Sequence, residues 1–374
     1  MRKHAILSAS SSNRWLECPP SARLNDLVLD TVSPYAQEGT EAHALCEHRL
    51  KEVLKMTSTD PVPHLTTYSQ EMEDAAKSYV LYILEIIEGL KNPQVLIEQR
   101  LNFSDYVPDG FGTGDCVILA EDTIYLVDMK YGTGILVDAE ENTQLMLYGL
   151  GCLQLFDGIY DINHISMTIF QPCRDNISTY EISREELLKW AEEYVKPRAK
   201  LAHEGVGDFR AGDWCQFCKV KATCRERARA NLELAKLDFA PPSTLTDEEI
   251  EDILGQLDDL ISWAKDIQEY ALARAKSGKR WTGFKLVEGR SNRKYSDDEL
   301  VAETVSQAGY EPYEQKLLGI TAMTKLLGNK KFNELLGGLV IKPAGKPTLV
   351  PESDKRPELQ NDFIEFMEGN NHVN

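Results

Sequence analysis

The chain has 374 residues, of which 42% are hydrophobic and 27% are charged, and these proportions are typical of a folded globular protein. The formal net charge of −19 argues against nonspecific nucleic-acid binding over the whole surface, although a local basic patch could still contact phosphates. No apolar run is long enough for a membrane span, and the N-terminal segment does not resemble a secretory signal. Eight cysteines in a chain that we expect to be cytoplasmic favour thiol or metal chemistry over disulfides.

Residues 34–204 alternate between helical and strand periodicity. Helices are predicted at 34–56, 70–90, 139–156 and 183–204, and strands at 95–103, 114–120, 123–129 and 164–171. Glu121 and Asp122 form a natural hairpin turn between the second and third strands. This order predicts an α/β core in which a mixed central sheet is flanked by helices.

The composition changes after the run FAPPST at 239–244, which is typical of a linker. We therefore divide the chain into a domain at 1–238 and an α-rich accessory domain at 239–374. Helices are predicted at 245–276 and 320–337, and the proline-rich tail from Lys342 is polar.

Three polar residues at the ends of two predicted strands form a candidate site. Asp115 begins one strand, and Asp128 ends the next strand with Lys130 two residues later. Asp128 and Lys130 share one face of the sheet, and a tight hairpin brings Asp115 to the same point. Two carboxylates at one point repel each other unless a cation such as Mg²⁺ or Mn²⁺ joins them. Lys130 could then orient or deprotonate water, or neutralise charge on phosphate. Alternatively, both acids merely end strands and Lys130 is solvated.

Other residues could complete this site, although each has a simpler interpretation alone. His43 could supply a nitrogen ligand that favours Mn²⁺, or it could lie on a helix surface. Gln144 and Tyr148 are four residues apart on one helix and could be ordinary helix positions. Glu98 alternates with apolar neighbours, which predicts an outward-facing strand acid.

Four cysteines form a second candidate site. Cys215, Cys218 and Cys224 follow the pattern C-x₂-C-x₅-C, and Cys18 lies far upstream. Four thiolates suit Zn²⁺ or an iron–sulfur cluster, and the long separation differs from the two close pairs of a zinc ribbon. Alternatively, these cysteines are unligated. The remaining cysteines lie in apolar runs, which predicts burial for Cys46, Cys116, Cys152 and Cys173.

The ordered segments GTEAH, GTGD, DMK and QLMLY resemble the motifs of the RecB-type branch of the PD-(D/E)xK nuclease superfamily, over roughly residues 8–225. The resemblance implies a restriction-endonuclease-like core, with Lys130 as the catalytic lysine and with Gln144 positioning this lysine or DNA. It implies catalytic roles for Lys130, Asp115, Asp128, Gln144 and Tyr148, and a Mg²⁺ or Mn²⁺ ion held by His43, Asp115 and Asp128. Many relatives have glutamate at the position of Asp128.

The cysteine pattern resembles that of iron–sulfur RecB-type nucleases, including the CRISPR-associated four-cysteine nucleases and the AddB subunit of bacterial recombination enzymes. Those proteins place one cysteine before the nuclease core and three after it. The resemblance implies a structural [4Fe–4S] cluster held by Cys18, Cys215, Cys218 and Cys224, with Zn²⁺ as the alternative that the spacing alone leaves open. The whole chain is also similar to an uncharacterised family found largely in bacteriophages and prophages.

Residues 276–294 hold seven basic side chains and one acid, in a chain that is otherwise acidic. Trp281 and Phe284 lie between the basic residues, a pattern that can follow a DNA backbone and stack on bases. The candidate DNA contacts are Lys279, Arg280, Arg293 and Lys294. The alternative is a strand hairpin with a solvated basic face.

These features predict a metal-dependent deoxyribonuclease, specifically an exonuclease that hydrolyses DNA in phage replication or recombination in the bacterial host cytoplasm. DNA is the expected partner, together with a phage single-strand-binding or recombination protein, and no membrane is expected. The rival hypothesis is a non-catalytic DNA-binding or scaffold protein that retains the same fold. The intact pair of Asp128 and Lys130 favours the enzyme, because a site that no longer cleaves DNA does not need a lysine beside a carboxylate.

Overall fold

The computed structural model describes residues 5–29, 34–156, 158–233, 247–288, 295–313, 317–341 and 350. The chain forms two compact units, Met1–Ser277 and Gly278–Asn374. The helices of the first unit are α1 (Ser12–Glu17), α2 (Ser21–Asp26), α3 (Pro34–Val53), α4 (Gln70–Glu88), α5 (Thr143–Phe156), α6 (Arg184–Trp190), α7 (Lys196–Glu204), α8 (Arg225–Glu233) and α9 (Asp247–Lys276).

One mixed sheet lies at the centre of the first unit. Its strands are β1 (Gln94–Asn102), β2 (Phe111–Ala120), β3 (Thr123–Met129), β4 (His164–Gln171) and β5 (Asn176–Ser183), in the spatial order β1-β2-β3-β4-β5. The pair β3–β4 is parallel, and the other neighbouring pairs are antiparallel. Helix α5 connects the parallel pair. The predicted α/β fold, with a mixed sheet flanked by helices and a helical C-terminal region, is confirmed.

Alternating side chains of the sheet bury two separate apolar faces. Val117 and Leu119 of β2 pack into a core with α5, whereas Cys116 and Ile118 pack into a second core with α3 and α4. Each fully buried aliphatic side chain contributes about 1.5–3 kcal/mol relative to exposure. The sheet is therefore held rigidly between two helical layers, and residues at the strand ends are fixed in position.

The boundaries of several elements differ from the sequence-based expectations. Strand β5 is absent from the prediction because its residues alternate between exposed and partly buried positions at a sheet edge. A π-helical turn, Ala191–Val195, separates α6 from α7 in the segment predicted as one helix. The segment 320–337, predicted as one helix, also forms two helices, because Gly328 adopts a φ of 74° between them.

The second unit contains α10 (Asp298–Gln307), α11 (Ile320–Leu327) and α12 (Asn329–Leu336). Asp297 caps α10 by accepting hydrogen bonds from the backbone nitrogens of Glu299 and Leu300, each at 3.0 Å. The predicted linker at 239–244 lies outside the described residues, as does the tail from Lys342 apart from residue 350. The division of the chain at 238/239 therefore stays a prediction. No described helix is long and apolar enough to cross a membrane.

Candidate functional site

The β2–β3 hairpin brings the two predicted aspartates together. Cys116 of β2 pairs with Val127 of β3, so Asp115 and Asp128 each lie one residue beyond this pair. Asp115 Oδ2 accepts a hydrogen bond of 2.8 Å from the backbone nitrogen of Met129, which fixes the carboxylate across the hairpin. The Asp128 side chain is buried, at 4% exposure.

Helix α3 brings His43 to Asp115. Ala42 and Leu45 of this helix are fully buried against the sheet, which orients the helix. His43 Nδ1 lies 3.3 Å from Asp115 Oδ1. Burial lowers the pKa of His43, but the Asp115 carboxylate outweighs this effect and raises the pKa to about 9. Burial raises the pKa of Asp115, but the charge and hydrogen bond of His43 and the charge of Lys130 together outweigh burial and hold this pKa below its usual range.

Lys130, Asp128, Gln144 and Tyr148 form a second group at the same hairpin. Lys130 Nζ lies 2.6 Å from Asp128 Oδ2 and donates a hydrogen bond of 3.2 Å to Gln144 Oε1. Gln144 Nε2 donates to Asp128 Oδ1 at 3.0 Å and to the Tyr148 hydroxyl at 3.2 Å. Gln144 therefore fixes both members of the acid-x-lysine pair, and Tyr148 fixes Gln144. The structure thus brings all six residues of the predicted nuclease site to one place.

Burial and neighbouring charges together set the pKa values of Lys130 and Asp128. Burial lowers the pKa of Lys130, but Asp128 and Asp115 outweigh it and hold the pKa above its usual range. The lysine ammonium therefore stays charged at neutral pH. Burial and the nearby Asp115 carboxylate both raise the pKa of Asp128. The charge of Lys130 lowers this pKa but offsets only part of the rise.

Glu98, which alternation predicts as an outward-facing strand acid, lies beside this site. One carboxylate oxygen of Glu98 lies within 4.8 Å of ligand atoms of both His43 and Asp115. Burial raises the pKa of Glu98 to about 7, and the neighbouring carboxylates of Asp115 and Glu47 add to this shift. Local alternation could not reveal the position, because it depends on how β1 pairs with β2.

The four predicted cluster cysteines line one cavity. Cys18 lies between α1 and α2, while Cys215 and Cys218 lie in and just after a short 3₁₀ turn. Burial raises the pKa of Cys215 to about 11, so metal binding there would displace protons. All eight cysteines are described, and no three of their sulfurs lie within 4.8 Å of one another. The predicted burial of the other four holds for Cys46, Cys116 and Cys152, whereas Cys173 is partly exposed.

Polar contacts hold the distant cysteine segments together. Asn25 Nδ2 donates a hydrogen bond of 3.3 Å to Cys218 Sγ, and Asn25 Oδ1 accepts one of 2.7 Å from the backbone nitrogen of Lys219. Arg14 Nη1 donates to the carbonyl of Phe217 at 3.2 Å. The cavity is therefore built by residues separated by about 200 positions in the chain.

Only part of the basic segment can be located. Lys279 and Arg280 are exposed, and Lys279 Nζ lies 5.5 Å from the centroid of the Trp281 ring. Arg293 and Lys294 lie outside the described residues. Residues 279–288 form turns and irregular backbone, so the alternative of a strand hairpin does not hold for this part of the segment.

A solved structure titled "Crystal structure of SSO0001" is similar at 17% sequence identity and a TM-score of 0.22, over 49% of this chain and 95% of that chain. We infer nothing about the fold or function of this chain from a similarity at that TM-score. A family model described as "Protein of unknown function (DUF2800)" matches residues 4–357, which is most of the chain, and the chain therefore belongs to the DUF2800 family.

Proposed function

We propose that this protein is a metal-dependent deoxyribonuclease that hydrolyses phosphodiester bonds in DNA. The observation that carries the proposal is the meeting of two charged pairs at the end of one hairpin. His43 is paired with Asp115 at 3.3 Å, and Asp128 is paired with Lys130 at 2.6 Å. Carboxylates beside an imidazole can hold a divalent cation, and a charged ammonium can stabilise negative charge on phosphate, which together suit a metal-assisted phosphodiester hydrolysis.

The donor set of this site fits a hard divalent cation. His43, Asp115 and Asp128 would hold Mg²⁺ or Mn²⁺, in agreement with the resemblance to the RecB-type nucleases. The close approach of buried carboxylates favours a cation, because burial and mutual repulsion already raise the pKa of Asp128. When bound, such a cation polarises the scissile phosphate and lowers the pKa of a bound water.

The remaining residues position charge around the phosphate. Lys130 is held protonated by its acidic neighbours, so it suits neutralisation of charge on phosphate better than removal of a proton from water. Gln144 fixes the lysine and Asp128 through separate hydrogen bonds. Tyr148 accepts a hydrogen bond from Gln144 and thereby restricts its rotation.

We assign the cysteine cavity a structural role. Cys18, Cys215, Cys218 and Cys224 would hold a [4Fe–4S] cluster, with Zn²⁺ as the alternative, and the hydrogen bond from Asn25 to Cys218 Sγ suits an anionic sulfur ligand. Anaerobically purified protein should be brown and should bleach on reduction, and a Cys218→Ser variant should lose colour and stability. One zinc and no iron in elemental analysis would refute the iron assignment and would support a zinc site instead.

The activity can be tested directly with linear, nicked and circular DNA in the presence of Mn²⁺. An exonuclease should degrade linear DNA, should act more slowly at nicks, and should leave closed circles intact. Cleavage of closed circles would show an endonuclease instead. If the protein binds DNA but cleaves none of the three substrates, the result would favour the non-catalytic DNA-binding or scaffold protein.

A further inference from the structure

We propose that Glu98 is a ligand for the divalent cation together with His43 and Asp115, an inference that rests on the proposed nuclease function. One carboxylate oxygen each from Glu98 and Asp115 and one ring nitrogen of His43 lie within 4.8 Å of one another. Two carboxylate oxygens and an imidazole nitrogen suit Mn²⁺, and the carboxylates also suit Mg²⁺. The nuclease motifs found in the sequence assign no role to Glu98.

A buried hydroxyl in the same cavity independently indicates a ligand. Tyr79 lines this cavity with His43, Glu98 and Asp115. Its side chain is 2% exposed, and its hydroxyl has no hydrogen-bond partner in the described part of the chain. A buried polar group without a partner is destabilising. A hydrated cation brings water molecules that can form the missing hydrogen bond.

The backbone at Glu98 is unusual for a strand interior. Ile97 pairs with Cys116 and Gln99 pairs with Gly114, so the ladder continues on both sides of this residue. Glu98 itself has a φ of 51°, which only a small fraction of non-glycine residues adopt. Such strain persists where the surrounding structure fixes it, and it is concentrated at functional sites.

The charges around Glu98 also favour a cation. Asp128 already has the Lys130 ammonium at 2.6 Å and a hydrogen bond from Gln144. A carboxylate oxygen of Glu98 lies within 4.8 Å of a carboxylate oxygen of Asp115, and two carboxylates at this distance repel each other. A divalent cation between Glu98 and Asp115 would remove this repulsion.

The inference is tested by measuring Mn²⁺ binding to the full chain by titration calorimetry and by electron paramagnetic resonance of free Mn²⁺. Glu98→Gln should weaken Mn²⁺ binding about tenfold or more, because it removes a charged ligand and keeps the shape. The matched control is Glu121→Gln, since Glu121 also has a positive φ, of 54°, but lies at the hairpin turn. The control should bind Mn²⁺ like the unaltered protein.

A second variant guards against misfolding. Glu98→Gly removes the carboxylate and accepts the left-handed backbone without strain, and its Mn²⁺ affinity should fall by a similar factor. Wild-type affinity in both Glu98 variants would overturn the inference, while Mn²⁺-dependent cleavage by the unaltered protein would leave the proposed function standing. Failure of the unaltered protein to bind Mn²⁺ would overturn both.

Discussion

Gln144 forms the hydrogen bonds that hold the acid-x-lysine pair in one arrangement. It bonds Lys130, Asp128 and Tyr148 at 3.0–3.2 Å. A positioning residue of this kind acts on the rate through the groups it fixes, and loss of such a partner in metal sites reduces activity about 10–100-fold.

Replacement of Gln144 by alanine should therefore lower kcat about 10–100-fold and change Mn²⁺ affinity less. Single-turnover cleavage and Mn²⁺ titration measure the two quantities separately. Gln154→Ala is the matched control, because Gln154 lies exposed on the same helix α5. Equal cleavage rates for Gln144→Ala and Gln154→Ala would show that Gln144 does not contribute to the reaction.

The pair of His43 and Asp115 makes the stability of the metal-free protein depend on pH. The pKa of His43 rises from its usual 6.5 to about 9 in the folded chain. A raised folded pKa gives stability that is fully present below the unfolded pKa and is lost as pH rises through the folded one. Between about pH 6 and about pH 10, this pair should lose up to about 3 kcal/mol of unfolding free energy.

Urea unfolding in the presence of a chelator measures this dependence. His43→Gln should be less stable than the unaltered protein at about pH 6 and nearly equal to it at about pH 10. The same slope in both proteins would mean that His43 is not charged at neutral pH.

At the scale of elements, α8 is joined to α9 by a buried charge network. Arg227 of α8 is 1% exposed and forms ion pairs with Asp266 and, at 3.1 Å, with Asp259 of α9. Lys221, between Cys218 and Cys224, also pairs with Asp266 at 2.7 Å. This network connects the cysteine segment to the longest helix of the first unit.

Arg227→Ala should destabilise the protein by up to about 3–5 kcal/mol, because it removes one of the cations paired with the buried Asp266 and the cation paired with Asp259. Urea unfolding should report the loss, and limited proteolysis should cut α9 more readily. Arg229→Ala on the same helix is the control, since Arg229 is exposed and forms an ion pair with Glu226 of its own helix, and its effect should stay within about 0.5 kcal/mol. Equal stability of the two variants would contradict the role of the network.

The sequence predicts those elements and residues whose position depends on local pattern. The β2–β3 hairpin follows from two apolar runs around a tight turn, and the placement of Asp128 and Lys130 follows from alternation along β3. Strand β5 was beyond local analysis because an edge strand with one solvated face carries a weak apolar pattern.

Contacts between distant segments were not predictable in the same way. Glu98 lies at the site through the pairing of β1 with β2, and Asn25 supports Cys218 through packing between segments 193 residues apart. Periodicity within one segment carries no information about these partners. Only the four-cysteine spacing indicated that the two distant segments meet.

At the scale of the whole molecule, the negative net charge disfavours DNA binding, whereas the basic segment favours it. The chain carries −19 overall, so contacts with phosphate must come from local basic groups. Lys279 and Arg280 are exposed in the second unit. Each phosphate contact adds about 0.9 to the log–log dependence of affinity on salt.

Neutralising Lys279, Arg280, Arg293 and Lys294 together should lower this salt slope by up to about 3.6 and weaken DNA binding. The rate on saturating DNA should not change, because none of these residues belongs to the metal site. Fluorescence anisotropy over a range of salt concentrations measures the slope. A slope unchanged in the quadruple variant would show that these side chains are only solvated.

The central claim is that Lys130 and its acidic neighbours carry out DNA hydrolysis, and the most direct test is single-turnover cleavage of end-labelled linear duplex with Mn²⁺. The unaltered protein should release labelled nucleotides, and Lys130→Ala should be slower by at least about 10²-fold at a temperature at which circular dichroism shows that both proteins are folded. Cleavage by Lys130→Ala at the unaltered rate would contradict the account.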